Sequence, residues 1–243
     1  MCFGDDARPP HAPHHGAAGH SGAATLRSSD GTEFCVFYAH PDRSSDVGVV
    51  ILPDVRGLHR FYEKLAARFA EAGFHAIAID YFGRTAGLGP RNDDFRFREH
   101  AEKVEPEHVD LDAGAAVARL RGTVASVFTV GFCLGGAMSW RQSAAGHGLA
   151  GCIGFYGRPD RAAGVVRSMQ SPLLLLAAGQ DRTPVSDVEA FAARVREAGV
   201  EAEVHVYPDA PHSFFDRRYE QYEDECDDAW RRIVDFVGRH GRA

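Results

Sequence analysis

The chain has 243 residues, 44% of them hydrophobic, which is enough for a sizeable core in one large α/β domain or two small ones. Its 34 acidic and 27 basic residues leave a formal charge of −7, which disfavours nucleic acid and anionic membrane surfaces as partners. The longest apolar runs, such as Val47 to Leu52 and Leu173 to Ala178, fall far short of the roughly 20 residues that a membrane-spanning helix needs.

Residues 1–22 are rich in His, Pro, Gly and Ala and lack a hydrophobic period, so a disordered or loosely packed tail is expected before a single domain over 23–243. Cys2 with His11, His14, His15 and His20 has metal-ligand chemistry, but the spacing fits no finger pattern and no metal is expected. Cys2, Asp5 and Asp6 stand where a secretory leader would be basic and then apolar. Five cysteines without a CxxC pair suit a reducing compartment, and the cytoplasm is the expectation.

A short strand is expected around Glu33 to Ala39. Apolar runs then alternate with helical periods: strands at Val47 to Leu52, Ala76 to Asp80, Val124 to Gly131, Gly151 to Tyr156, Leu173 to Ala178 and Ala202 to Tyr207. The helices between them fall near His59 to Ala72, Pro106 to Arg121, Leu134 to Ala145 and Val185 to Ala198, with a last one over Asp216 to Arg239. This pattern predicts an α/β fold, a mostly parallel central sheet flanked by helices on both faces. The polar stretch from Thr85 to His108 follows a strand end and reads as a cleft mouth or, alternatively, a disordered insertion.

The sharpest motif is Gly131-Phe132-Cys133-Leu134-Gly135-Gly136, where a strand ends and a helix starts. It has the form of a nucleophile elbow with cysteine at its centre. Glycines two residues to either side give a crowded turn room, and the helix N-terminus favours a thiolate. Hydrolases of this design place the acid after a later strand and the histidine last. Asp181 follows Leu173 to Ala178, and His212 follows the strand ending at Tyr207; of 13 histidines, only His212 has that loop setting. A buried, inert thiol at Cys133 is the alternative.

These segments resemble the dienelactone hydrolase family of the α/β-hydrolase superfamily, whose mark is a cysteine nucleophile. Further matches are Ile51-Leu52-Pro53-Asp54-Val55-Arg56-Gly57-Leu58, the run from Gly73 to Arg84, and Pro211-His212-Ser213-Phe214. The resemblance implies a Cys133, His212 and Asp181 triad, with the Leu134 and Val55 amides as oxyanion donors. It places Asp54 where the family usually has a Glu that meets the resting thiol; capping of the following helix is the other role open to it. It makes Arg84 a binder of the substrate carboxylate, with pairing to a loop acid as the alternative; Arg217, five residues after His212, is a second candidate by its position. The implied reaction is hydrolysis of activated enol or diene lactones or esters without a cofactor, with a small, carboxylate-bearing molecule as the substrate. A broader esterase or thioesterase on the same triad, and a thiol redox-sensing or binding domain without turnover, are the rival readings.

Overall fold

The computed structural model describes residues 6–12, 16–43, 45–216 and 218–241. Eight strands form one sheet: β1 (Ala18–Arg27), β2 (Glu33–Pro41), β3 (Val47–Leu52), β4 (His75–Ile79), β5 (Ser126–Phe132), β6 (Gly151–Phe155), β7 (Leu173–Gln180) and β8 (Ala202–Pro211). Their spatial order is β1-β2-β4-β3-β5-β6-β7-β8. The β1–β2 and β2–β4 pairs are antiparallel and all the others parallel. The β3 to β6 runs are almost wholly buried, as continuous apolar strands covered on both faces must be.

Among the described residues the α-helices are α1 (Arg60–Glu71), α2 (Gly83–Ala86), α3 (Arg98–Ala101), α4 (Pro106–Arg121), α5 (Leu134–Gln142), α6 (Val185–Glu197) and, after the last strand, α7 (Glu223–His240). On one face α1 buries Phe61, Leu65 and Phe69, and α7 buries Trp230, Ile233 and Phe236, at the three- and four-residue spacing of an amphipathic helix. The opposite face is covered by α4, α5 and α6. Gly73 (φ 92°) and Gly199 (φ 87°) follow the ends of α1 and α6, where the chain turns back through the left-handed region. No helix among the described residues is long and apolar enough to cross a membrane.

Three expectations change. Residues 18–22 belong to β1, Ala12 is buried, and Lys64 Nζ donates to the Ala7 carbonyl at 2.7 Å, so the described part of the supposed tail is packed. Backbone pairing to β2 requires no hydrophobic period, which is why composition hid this edge strand. The Thr85 to His108 segment folds against the sheet end. Arg91 is buried, donates twice to Asp80 Oδ2 at 2.9 and 3.1 Å, and lies 4.6 Å from the centre of the Phe95 ring. Finally, α7 begins at Glu223 and not at Asp216. Phe214, Phe215 and Asp216 are all buried, and anchoring all three inward imposes a turn. Cys2, His14 and His15 lie outside the described residues, and His20 hydrogen-bonds Tyr38 Oη at 2.9 Å.

Candidate active site

Cys133 stands between β5 and α5 with φ 55° and ψ −113°, a strained conformation for a residue with a side chain. Its N–H donates to the Phe155 carbonyl at 3.1 Å, tying the turn to β6, and its carbonyl accepts from Gly136 N at 3.1 Å. The glycines are steric requirements. A Cβ at Gly131 would collide with the Gly135 carbonyl, one at Gly135 with the Leu52 and Pro53 carbonyls, and one at Gly136 with the Phe155 carbonyl. The turn therefore packs backbone on backbone, and Cys133 stands at the N-terminus of α5, where the helix dipole favours a thiolate.

Asp181 follows β7 and His212 follows β8, so the carboxyl ends of three parallel strands deliver the three side chains to one edge. His212 Nδ1 lies 2.8 Å from Asp181 Oδ2. Asp181 Oδ1 also accepts from Arg182 N at 2.6 Å, which fixes the carboxylate's orientation. With Nδ1 engaged by Asp181, Nε2 is the ring nitrogen left for a second partner, and Cys133 and His212 line the same cleft. Burial alone would lower the His212 pKa, but the Asp181 and Cys133 side chains outweigh it and raise it to about 10.

Val55 and Leu134 both line the cleft above Cys133. Among the described residues neither amide N–H has a protein acceptor. Asp54 is 4% exposed, and its Oδ1 accepts from Arg56 N at 2.9 Å. Among the described residues the carboxyl has no hydrogen bond to Cys133. It does not cap the following helix either, since His59 does so by accepting from Phe61 N. Burial, reinforced by the nearby Asp216 charge, pushes the Asp54 carboxyl up to about 7.

The expectation that Arg84 binds substrate is corrected. Its guanidinium grips Asp112 at 2.6 and 2.8 Å and Asp30 at 2.8 Å, and it does not line the cleft. Asp112 lies on α4 with a side chain 2% exposed, and a carboxylate so buried requires a cation. Arg217 lies outside the described residues.

Two residues of the site were missed in the sequence. Tyr156, at the end of β6, has φ 37°, lies with its ring 4.9 Å from that of His212, and donates its hydroxyl to Asp216 Oδ2 at 3.1 Å. The available signals were a polar-tipped aromatic at a strand's carboxyl end and an acid four residues after the histidine. The cleft has a volume of about 1150 Å³, and no residue of the 85–108 segment lines it.

Residues 34–241 match the model of the dienelactone hydrolase family. A carboxymethylenebutenolidase of Pseudomonas putida is 28% identical over 200 residues, covering 78% of this chain and 84% of its own. A Yersinia pestis protein is 28% identical over 239 residues, covering 91% of this chain and 89% of its own. Among solved structures, a dienelactone hydrolase-like promiscuous phosphotriesterase from metagenomic libraries superposes with a TM-score of 0.76 at 22% identity, covering 91% of this chain and 99% of that one. The family model takes in the elbow, the acid loop and the histidine loop within one continuous match, and the chain therefore belongs to the dienelactone hydrolase family of the α/β-hydrolase superfamily.

Proposed function

We propose that this protein hydrolyses activated lactones or esters through a Cys133, His212 and Asp181 triad and a thioester intermediate, with a small carboxylate-bearing molecule as substrate. The observation that carries the reading is the convergence of a cysteine at positive φ and a His212 to Asp181 bond of 2.8 Å on one cleft. His212 takes the thiol proton and, held by Asp181, keeps it as an imidazolium. The Cys133 sulfur attacks the carbonyl carbon, and the oxygen gains charge between the Val55 and Leu134 amides, each such donor contributing about 3 kcal/mol. The carbon–oxygen bond to the leaving group breaks as His212 returns the proton to that oxygen. His212 then takes a proton from water, the hydroxide attacks the thioester, and the thiolate leaves.

A thiolate is itself a good leaving group, so the tetrahedral intermediate goes forward only when the substrate's leaving oxygen is comparably good. Enol lactones meet this condition and simple alkyl esters do not. The name of the Pseudomonas putida relative supports the lactone class. The size of the cleft favours a second reading, a broader esterase acting on bulkier activated esters. Cys35, Cys133, Cys152 and Cys226 are free thiols, which supports a reducing compartment such as the cytoplasm.

Steady-state hydrolysis of dienelactones beside 4-nitrophenyl esters, with mass spectrometry of the quenched enzyme, tests the reading. Turnover of lactones and an acyl adduct on Cys133 are expected, both lost in Cys133→Ala. Undiminished activity in Cys133→Ala would overturn the mechanism.

A further inference from the structure

The cleft over Cys133 has a charge opposite to that of the molecule around it. The chain carries a formal −7, yet Arg158, Arg161, Arg182, Arg194 and Arg218 line this one cleft, without a single lysine or glutamate. They come from the loops after β6, β7 and β8 and from α6, so four separate segments aim positive charge at the same space. Three aspartates share the lining and leave it an excess of cations: Asp160 neutralises Arg158 at 2.6 Å, Asp181 is held by His212, and Asp187 sits in the first turn of α6. Arg194 donates to the Ala163 carbonyl at 3.3 Å. Among the described residues no carboxylate lies within ion-pair distance of Arg161, Arg182 or Arg218, all three of which are exposed.

We propose that Arg161, Arg182 and Arg218 form an anion subsite that selects acyl substrates carrying at least two negative charges remote from the reacting carbonyl. This deepens the proposed hydrolase reading and rests on it. One guanidinium is enough to grip one carboxylate through its planar fork. Three unpaired forks from three different loops therefore suit an oligoanion better than a single carboxylate. Volume points the same way, since about 1150 Å³ exceeds the roughly 300–1000 Å³ of ordinary small-molecule sites. A cleft lined with one sign of charge also focuses its field outward and gathers such substrates from solution.

The charges could be carboxylates or a phosphate, and a set of activated esters separates these sources. The probes are 4-nitrophenyl acetate (neutral), mono-4-nitrophenyl glutarate (singly charged), the mono-4-nitrophenyl ester of tricarballylate (two carboxylates) and 4-nitrophenyl 3-phosphonopropanoate (phosphonate). The kcat/KM is expected to rise with charge, most for whichever doubly charged arm matches the natural group. The advantage should shrink as salt is raised, because the Debye length falls from about 30 Å at 0.01 M to about 3 Å at 1 M. Replacing Arg161, Arg182 and Arg218 together by Gln should lower the charged-to-neutral ratio at least about threefold, the combined effect of three exposed ion pairs. Arg119→Gln, exposed on α4 outside the cleft, should leave that ratio unchanged. Equal kcat/KM across the series, or a ratio indifferent to both salt and the triple substitution, would overturn the subsite. The salt series on the unaltered protein stands whether or not the triple variant folds. Hydrolysis of the neutral ester without charge preference would reject the subsite alone, whereas no hydrolysis of any probe would reject the hydrolase reading itself.

Discussion

His212 and Asp181 are coupled: the 2.8 Å bond orients the ring, and with Cys133 it raises the imidazole pKa to about 10. Groups coupled in this way fail together. We expect His212→Ala to lower kcat by orders of magnitude and Asp181→Asn to add little further loss in the double variant; losses that multiply would mean the two residues work independently. Asp54 gives a pH-dependent prediction. Its folded pKa of about 7 lies above the usual carboxylate value, so the folded state holds a proton that the unfolded chain releases. Its cost is absent below about pH 4, grows as pH rises, and is complete above about 7. Asp54→Asn, whose amide oxygen retains the bond from Arg56 N, should therefore stabilise the protein by roughly 4 kcal/mol at pH 8 and by less than half of that at pH 5. Urea unfolding at the two pH values checks this, and an equal gain at both would show that ionisation is not the cause.

At the scale of elements, the elbow is a joint among β3, β5, β6 and α5. Gly135 lies against the Leu52 and Pro53 carbonyls at the end of β3, so any side chain there forces α5 away from the sheet. Gly135→Ala should destabilise by about 2–3 kcal/mol, in the range of overpacking a rigid core, and lower kcat far more than the stability loss explains. Thermal denaturation and kinetics on the folded fraction test both parts; normal turnover would show that the elbow tolerates displacement. The elements were unequally legible in the sequence. Val47–Leu52 and Pro106–Arg121 stand where periodicity placed them, because buried parallel strands are continuously apolar and Pro106 marks a helix start. Strand β1, Ala-Gly-His-Ser-Gly-Ala-Ala-Thr-Leu-Arg, carries almost no strand propensity and exists through its pairing with β2.

In the whole molecule, Arg84 is a fastening. It joins the β1–β2 turn at Asp30 to α4 at Asp112, where Ser28 also donates to the same carboxylate. Removing it strands a buried charge, so Arg84→Ala should cost about 3 kcal/mol in chemical unfolding and leave the preference between charged and neutral esters intact; a selective loss on charged esters would return Arg84 to the cleft. By itself the sequence determined the layered α/β architecture and the triad candidates. Both are written in local terms: hydrophobic period, glycine spacing, and the order of nucleophile, acid and histidine after successive strands. Only the tertiary structure decided which arginines face the cleft and which face a buried acid. It also decided that Asp54 is buried and bonded to the Arg56 amide, and that Tyr156 packs against the His212 ring while bonding Asp216. Those outcomes depend on which charges meet across distant segments, as Arg84 meets Asp112 over 28 residues, and on which carboxylates lose their water. A residue's own type and neighbours carry no record of either.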